Sequence, residues 1–365
     1  MKPLFAEIRR NPMLWLLAFV PVALVAPVLA PTSHTLLFAL SILAIVPLAA
    51  LLSHATESVA AKTGDAVGGL LNATLGNLTE LVIALAALRA GDYMLVKASI
   101  AGAIVTNALF MLGMSFLLGG LKFHTQEFNR VGARVQAGLL FLATIALAIP
   151  SAIARGDAGA AEFTGKLSVG LSILLITAYA LGLFYSLRTH RELFRSVSRA
   201  AEGEHETPWP IGLAAGTLAG VTVLVALVSE VFVESVQEAA RSLGMSSAFV
   251  GFIVVALVGA AAEMASAFAA ARKNRLDLSV GIALGSASQI ALFVAPVLVL
   301  ASYFMGPRPM GLEFWPGAVV MMLVATVTAS QVTNSGRSNW FVGVLVLMVY
   351  AIFAMTLYLL PPGAR

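Results

Sequence analysis

The sequence predicts an all-α polytopic membrane protein with eleven transmembrane helices. One extra N-terminal helix would precede two inverted five-helix repeats. Three observations carry that expectation. Apolar stretches of 18 or more residues recur along the whole 365-residue chain. A glutamate-bearing stretch, "GNLTEL" at 76–81, has a counterpart 183 residues further on. Lysine and arginine crowd alternate breaks between the apolar stretches.

Composition sets the class. The chain is 59% apolar and only 11% charged, well below the roughly 25% of a soluble domain. No short alternating segments of a β-barrel occur. There is no cysteine, so disulfides, thiolate metal sites and cysteine nucleophiles are excluded. The net charge of +4 is explained by loop arginines and lysines and calls for no nucleic-acid partner.

The spans are expected at 13–30, 35–58, 67–89, 93–120, 127–150, 166–187, 209–236, 247–271, 277–303, 314–333 and 340–361. Breaks such as "APTSH", "KTGD", "ARGDAG" and "GPRPMG" separate them. The first span has an apolar core longer than a signal peptide's, so it is read as a helix. The organisation is then 1–31 as the extra helix, 32–187 as the first repeat, 188–208 as a cytoplasmic linker and 209–365 as the second repeat. Glu202, Glu204 and Glu206 are read as part of that solvated linker. With the N-terminus inside, fifteen of the 22 lysines and arginines fall on inner segments and seven outside. The C-terminus is then external. Short loops and the lack of a targeting segment point to a prokaryotic inner membrane.

The carboxylates carry the chemistry. Glu80 lies inside "VGGLLNATLGNLTELVIALAAL", where an ionised group costs a few kcal/mol or more. Shifting the chain by 183 residues superposes Gly68, Gly76, Glu80 and Arg89 on Gly251, Gly259, Glu263 and Arg272. Eight of 22 residues match between 68 and 89, four of them alanine, so the glycines and the glutamate carry the argument. Asn107 and Gln289 fall within one position under the same shift. Five helices per half is an odd number, so the halves would run in opposite directions, as in secondary transporters. Each glutamate lies twelve residues beyond its glycine, about 18 Å along a helix and near mid-membrane.

Two such carboxylates are tolerable when they are protonated or share a cation. Hard cations such as Ca²⁺ prefer oxygen ligands, so two glutamates would neutralise one divalent ion and two protons would replace it. Asn77, Thr79, Ser286, Ser288 and Gln289 place further oxygens nearby, and Gly76 and Gly259 would let the helix loosen and free backbone carbonyls. The competing structural readings are helix–helix hydrogen bonds for Asn107 and Gln289, and packing for Ser286 and Ser288. Glu57 and Glu234 lie near opposite faces and are read as either pathway mouths or solvated helix ends. His54 and Glu57 alone do not make a metal site.

In "GDAVGGLLNATLGNLTELVIAL", "ALGSASQIALFVAP" and "QEFNRVGARV" the chain resembles the cation/proton exchanger branch of the calcium/cation antiporters. The resemblance runs from about residue 50 onward. It implies eleven helices, proton-driven Ca²⁺ export and one essential glutamate per repeat, matching Glu80 and Glu263. It also implies a role for Glu230 in the external passage. Ca²⁺ and H⁺ are then substrates within a lipid bilayer, and no cofactor is implied. Three positions depart from the family pattern: Ala260 replaces an asparagine, Met264 a histidine and Ala103 a serine. The alternative in the same class is a Na⁺ or K⁺/H⁺ antiporter using the same carboxylates. An intramembrane enzyme is disfavoured, since HExxH and GxSxG are absent and no second acid completes an aspartyl dyad. A channel is disfavoured because the symmetry lies within one chain.

Overall fold

The computed structural model describes residues 2–63, 65–153, 159–190 and 209–359, and no side chain is described at 2, 65, 66, 73 or 159–161. The expected linker therefore lies outside the described residues from 191 to 208. Among the described residues nine helices are long and apolar enough to cross a membrane. A tenth is made by a pair bent through 60° at Ala260.

In chain order the first elements are α1 (Lys2–Arg10), a 3₁₀ turn Pro12–Ala18 leading into α2 (Phe19–Leu29), α3 (His34–Lys62), α4 (Asp65–Leu75) and α5 (Leu78–Arg89). The expected continuous span at 67–89 is thus two short helices. Gly76 and Asn77 form a turn between them, and neither piece reaches membrane length by itself. α6 (Tyr93–Val105) and α7 (Leu112–Phe123) run on through a widened π-helical turn, Thr106–Met111, as one 31-residue helix. Then come α8 (Arg130–Ile153), α9 (Gly159–Phe184) and α10 (Ile211–Ser242).

The expected span at 247–271 is also interrupted. It comprises α11 (Ser247–Phe249), a π-helical stretch Val250–Val255, α12 (Ala256–Gly259) and α13 (Ala261–Arg272). α14 (Leu276–Gln289) passes through another π-helical turn, Ile290–Val294, into α15 (Ala295–Ala301). α16 (Pro316–Thr333) and α17 (Trp340–Leu359) complete the chain. The π turns at Thr106 and Ile290 lie 184 residues apart, close to the repeat shift read from the sequence. Such turns widen the helix and leave backbone groups less tightly paired.

The helices gather into two compact units that cut across the expected halves. The first draws on Met1–Ser99 and Glu206–Glu263, the second on Ile100–His205 and Met264–Leu359. In the first unit α3 and α10 lie antiparallel. Thr35 and Ser242 hydroxyls meet at 2.8 Å at one end, the Phe38 and Phe232 rings follow at 5.4 Å, and His54 meets Trp209 at 4.5 Å at the other end. α4 seats Gly68 on α3 so closely that a β-carbon there would stand 2.2 Å from the Ala60 carbonyl oxygen. Small residues permit such approaches where lipid supplies no hydrophobic drive between helices.

The second unit uses the same device. A β-carbon on Gly343 of α17 would lie 2.4 Å from the Leu117 nitrogen of α7. Thr144 of α8 and Thr326 of α16 share a buried hydrogen bond of 3.0 Å. A short antiparallel ribbon, β1 (Thr125–Glu127) with β2 (Arg337–Asn339), ties the α7–α8 and α16–α17 connections together. Gln126 reaches from this ribbon to the Ala271 carbonyl at 3.0 Å and the Asn274 side chain at 2.9 Å.

Candidate cation site

The helix breaks explain where the carboxylates sit. Glu80 lies in the first turn of α5, and Glu263 lies in the first turn of α13. The N-terminus of a helix presents unpaired N–H groups and a partial positive charge, which favours a carboxylate there. The C-terminal ends of α4 and α12 bring carbonyl oxygens to the same breaks, a setting that suits a cation. The half-helix arrangement therefore offsets part of the cost of a charge in an apolar span.

Both glutamates belong to the first unit. The side chain of Glu80 rests on Gly259: a β-carbon at 259 would lie 3.0 Å from Glu80 Cγ and 3.3 Å from Oε1. Glu80 Oε1 is shut off from solvent and accepts no hydrogen bond among the described residues. Oε2 of Glu263 is also shut off from solvent. Asn77 and Thr79 are buried beside Glu80, at 2% and 4% exposure. The loosening expected at Gly76 and Gly259 falls at Gly76–Asn77 and at Ala260. Ala260 is the residue that a shift of 183 places on Asn77, and it is completely buried. Among the described residues no three His, Asp or Glu side chains gather, so a cation here would take its remaining ligands from neutral oxygens.

The second unit holds the other predicted group. Asn107, within the π turn, donates from Nδ2 to Ser286 Oγ at 2.9 Å, while its Oδ1 is buried and unpartnered. Ser288 donates to the Leu284 carbonyl at 2.7 Å and to the Gln136 carbonyl at 3.2 Å, which is the packing role weighed for it. Gln289 stands just before the π turn at Ile290–Val294 and is half-buried. Gln136 was not singled out by sequence. It sits in an ordinary α8 stretch, and only its position against Ser288, and in a shallow recess shared with Asn129 and Asp277, marks it out.

The predicted pathway mouths are placed individually. Glu57 is half-buried and accepts from Ser53 at 3.3 Å. Glu230 pairs with Arg89 at 3.3 Å, which ties its charge to the end of α5. Glu234 is exposed and has no partner among the described residues. Gly251, the counterpart of Gly68, is likewise a close approach, since a β-carbon there would stand 2.5 Å from Ala98 Cβ.

Comparison with known proteins meets this arrangement. The family described as sodium/calcium exchanger protein matches residues 33–188 and again 213–359. A Ca²⁺/H⁺ antiporter of Aphanothece halophytica is 40% identical over 359 residues, covering 95% of this chain and 96% of the relative. The Ca²⁺/H⁺ antiporter ChaA of Bacillus subtilis (strain 168) is 42% identical over 326 residues, covering 89% and 92%. The solved structure of native YfkE shares 38% identity at a TM-score of 0.83, covering 96% of this chain and all of that one. These relatives are transporters, not enzymes. The paired interruptions at Asn77 and Ala260, and the glutamates beyond them, thus lie in a chain that belongs to the sodium/calcium exchanger protein family.

Proposed function

We propose that this protein exports Ca²⁺ in exchange for H⁺, with Glu80 and Glu263 binding cation or protons in turn. The observation that carries the reading is the seat of Glu80. A solvent-excluded carboxylate oxygen without a hydrogen-bond partner rests against Gly259, four residues before the second glutamate. A buried carboxylate left this way needs a proton or a cation. The Ca²⁺/H⁺ antiporter names of relatives near 40% identity favour Ca²⁺ as the cation. Na⁺ or K⁺ exchange on the same carboxylates is the second reading, favoured by Ala260, which brings no side-chain oxygen where Asn77 brings one.

The topology belongs to the same proposal: eleven crossings, a cytoplasmic N-terminus, and two inverted repeats that alternate access. Loop contacts support the count. Asp92, just before α6, accepts from Gln237, which accepts from Ser247. Lys122, at the far end of the same 31-residue helix, bonds the carbonyl of Arg272. The two ends of the broken segment 247–272 thus attach to opposite ends of one membrane-length helix, as a crossing requires. The α4–α5 segment likewise starts beside Ala60 of α3 and ends beside Glu230 of α10. The double match to one family description supports the repeats. Asn107, Ser286, Thr79, Asn77 and Gln289 are assigned as supporting polar groups, Glu57, Glu230 and Glu234 as mouth residues, and the membrane as a prokaryotic inner membrane.

The test is cation flux in everted vesicles under an imposed pH gradient. Wild type is expected to accumulate Ca²⁺ only when the interior is acid. Glu80→Gln and Glu263→Gln are each expected to reduce this to background while the protein still inserts. Near-normal exchange by either variant removes that glutamate from the mechanism, and exchange of monovalent ions alone hands the assignment to the second reading.

A further inference from the structure

Away from the carboxylates, the start of α8 presents an unusual pair of cations. Arg130 and Arg134 are one helical turn apart and both exposed. Each donates from Nη2 to the same atom, Oδ1 of Asn334, at 3.5 and 2.5 Å. Two guanidinium groups thus converge on one neutral oxygen. Like charges at this spacing repel, and neither arginine has a carboxylate partner among the described residues. The acids nearby are engaged. Glu127 takes Arg337 at 2.8 Å, and Asp277 accepts the backbone N–H of Asn129.

The arrangement is built rather than loose. Asn129 caps α8, its Oδ1 accepting from the N–H of Val131 and Gly132 at 3.0 Å each. Gly336, with φ at +73°, brings the turn after α16 onto Arg130, so that a β-carbon there would stand 3.0 Å from Arg130 Cβ. Its carbonyl accepts from Phe128 N–H at 2.9 Å. The backbone on both sides of the arginine pair is therefore fixed.

The place is the end of two membrane-length helices, α8 and α16. Next to it Val131, Trp340 and Phe341 are 49%, 45% and 52% exposed. Aromatic side chains at the end of a span mark headgroup depth. Arginine forks and a side-chain amide match the oxygens of a phosphodiester, and the flanking apolar surface matches acyl chains.

We propose that Arg130, Arg134 and Asn334 form a binding site for the phosphate of an anionic phospholipid. The site is independent of the transport mechanism and needs only that α8 crosses the membrane. The rival account is that the arginines merely complement the C-terminal end of α16. That account predicts no preference among lipids.

The experiment uses the full chain, delipidated in a neutral detergent. Mixed micelles of dioleoyl phosphatidylglycerol, dioleoyl phosphatidylcholine, or inorganic phosphate alone are titrated in. Thermal unfolding and native mass spectrometry are the readouts. Phosphatidylglycerol is expected to raise the melting temperature and persist as an adduct, and the other two are expected to do neither. Arg130→Gln with Arg134→Gln should weaken apparent phosphatidylglycerol binding by about tenfold or more. A control removing Arg9 and Arg188, exposed arginines elsewhere, should leave it unchanged. Should the double variant not fold, Arg134→Lys keeps the charge, loses the fork and is expected to give a partial loss. Equal effects of phosphatidylcholine, equal effects of inorganic phosphate, or undiminished binding by the variants would overturn the proposal.

Discussion

Glu80, in the first turn of α5, rests on Gly259 at the end of α12, the residue four positions before Glu263. The contact is tighter than an ordinary van der Waals approach would allow to a side chain. Gly259→Ala is therefore expected to push the Glu80 carboxylate aside by a few tenths of an ångström while leaving the fold in place. Apparent Ca²⁺ affinity should fall about tenfold, equivalent to roughly 1.4 kcal/mol. Exchange kinetics beside a melting curve would check this, and an unchanged affinity would show that Glu80 does its work in another position.

Protons and Ca²⁺ compete for the same oxygens in the proposed cycle. At low pH the carboxylates hold protons and the cation is excluded. As pH rises and they ionise, apparent Ca²⁺ affinity should climb and then level off. Binding measured across this range at constant ionic strength is the check. A flat profile would contradict exchange at a shared site.

Two glycines separate close packing from spare space. A β-carbon on Gly68 would meet the Ala60 backbone, which cannot step back cheaply, whereas Gly138 in α8 has nothing within 4 Å. Gly68→Ala should destabilise the protein by about 1–3 kcal/mol through overpacking. Gly138→Ala should be neutral or stabilise by up to about 1 kcal/mol. Melting temperatures of the two variants in one detergent would decide, and a harmless Gly68→Ala would mean that α4 moves off α3 freely.

Orientation can be read directly, because the chain has no native cysteine to remove. Single cysteines at 89 and 272 are expected to label from opposite sides of the membrane, the first from outside. Labelling of both from one side would end the inverted arrangement.

Ala260 and Asn77 occupy matching breaks, and both are buried. The proposed site is then lopsided, with one amide oxygen on the first break and none on the second. Ca²⁺ accepts 6–8 oxygen ligands in flexible geometry, so water can fill the gap at some loss of affinity. Ala260→Asn is expected to tighten Ca²⁺ binding relative to Na⁺ and K⁺. Unchanged Ca²⁺ affinity in the variant would mean that position 260 does not face the ion.

Most of the helices were legible because hydropathy acts on long stretches. α3, α8 and α17 begin or end within a few residues of the expected spans. The interruptions were only half legible. The first falls at Gly76 and Asn77, whereas the second falls at Ala260, one residue past Gly259, where the Glu80 side chain comes close. A glycine in a sequence does not say whether it marks a break or a close approach. Asn107 and Ser286 were each visible as a polar residue in an apolar run, yet their hydrogen bond joins positions 179 residues apart. The same holds for Arg89 with Glu230, whose tie depends on the packing of α5 against α10. Gln136 carried no local signal at all.

The interrupted helices have a mechanical consequence. A continuous helix resists bending through its ladder of backbone hydrogen bonds, and the regular helix is interrupted at Gly76–Asn77 and at Ala260. Each broken segment is then a pair of stiff rods with a soft joint, and the joints lie at the carboxylates. An ion held there would act as a splint, lending the joints a rigidity that the backbone does not supply. Amide hydrogens around 76–81 and 259–264 should therefore exchange slowly in the Ca²⁺-loaded protein and quickly in the empty one, while those in the middle of α3 exchange alike in both.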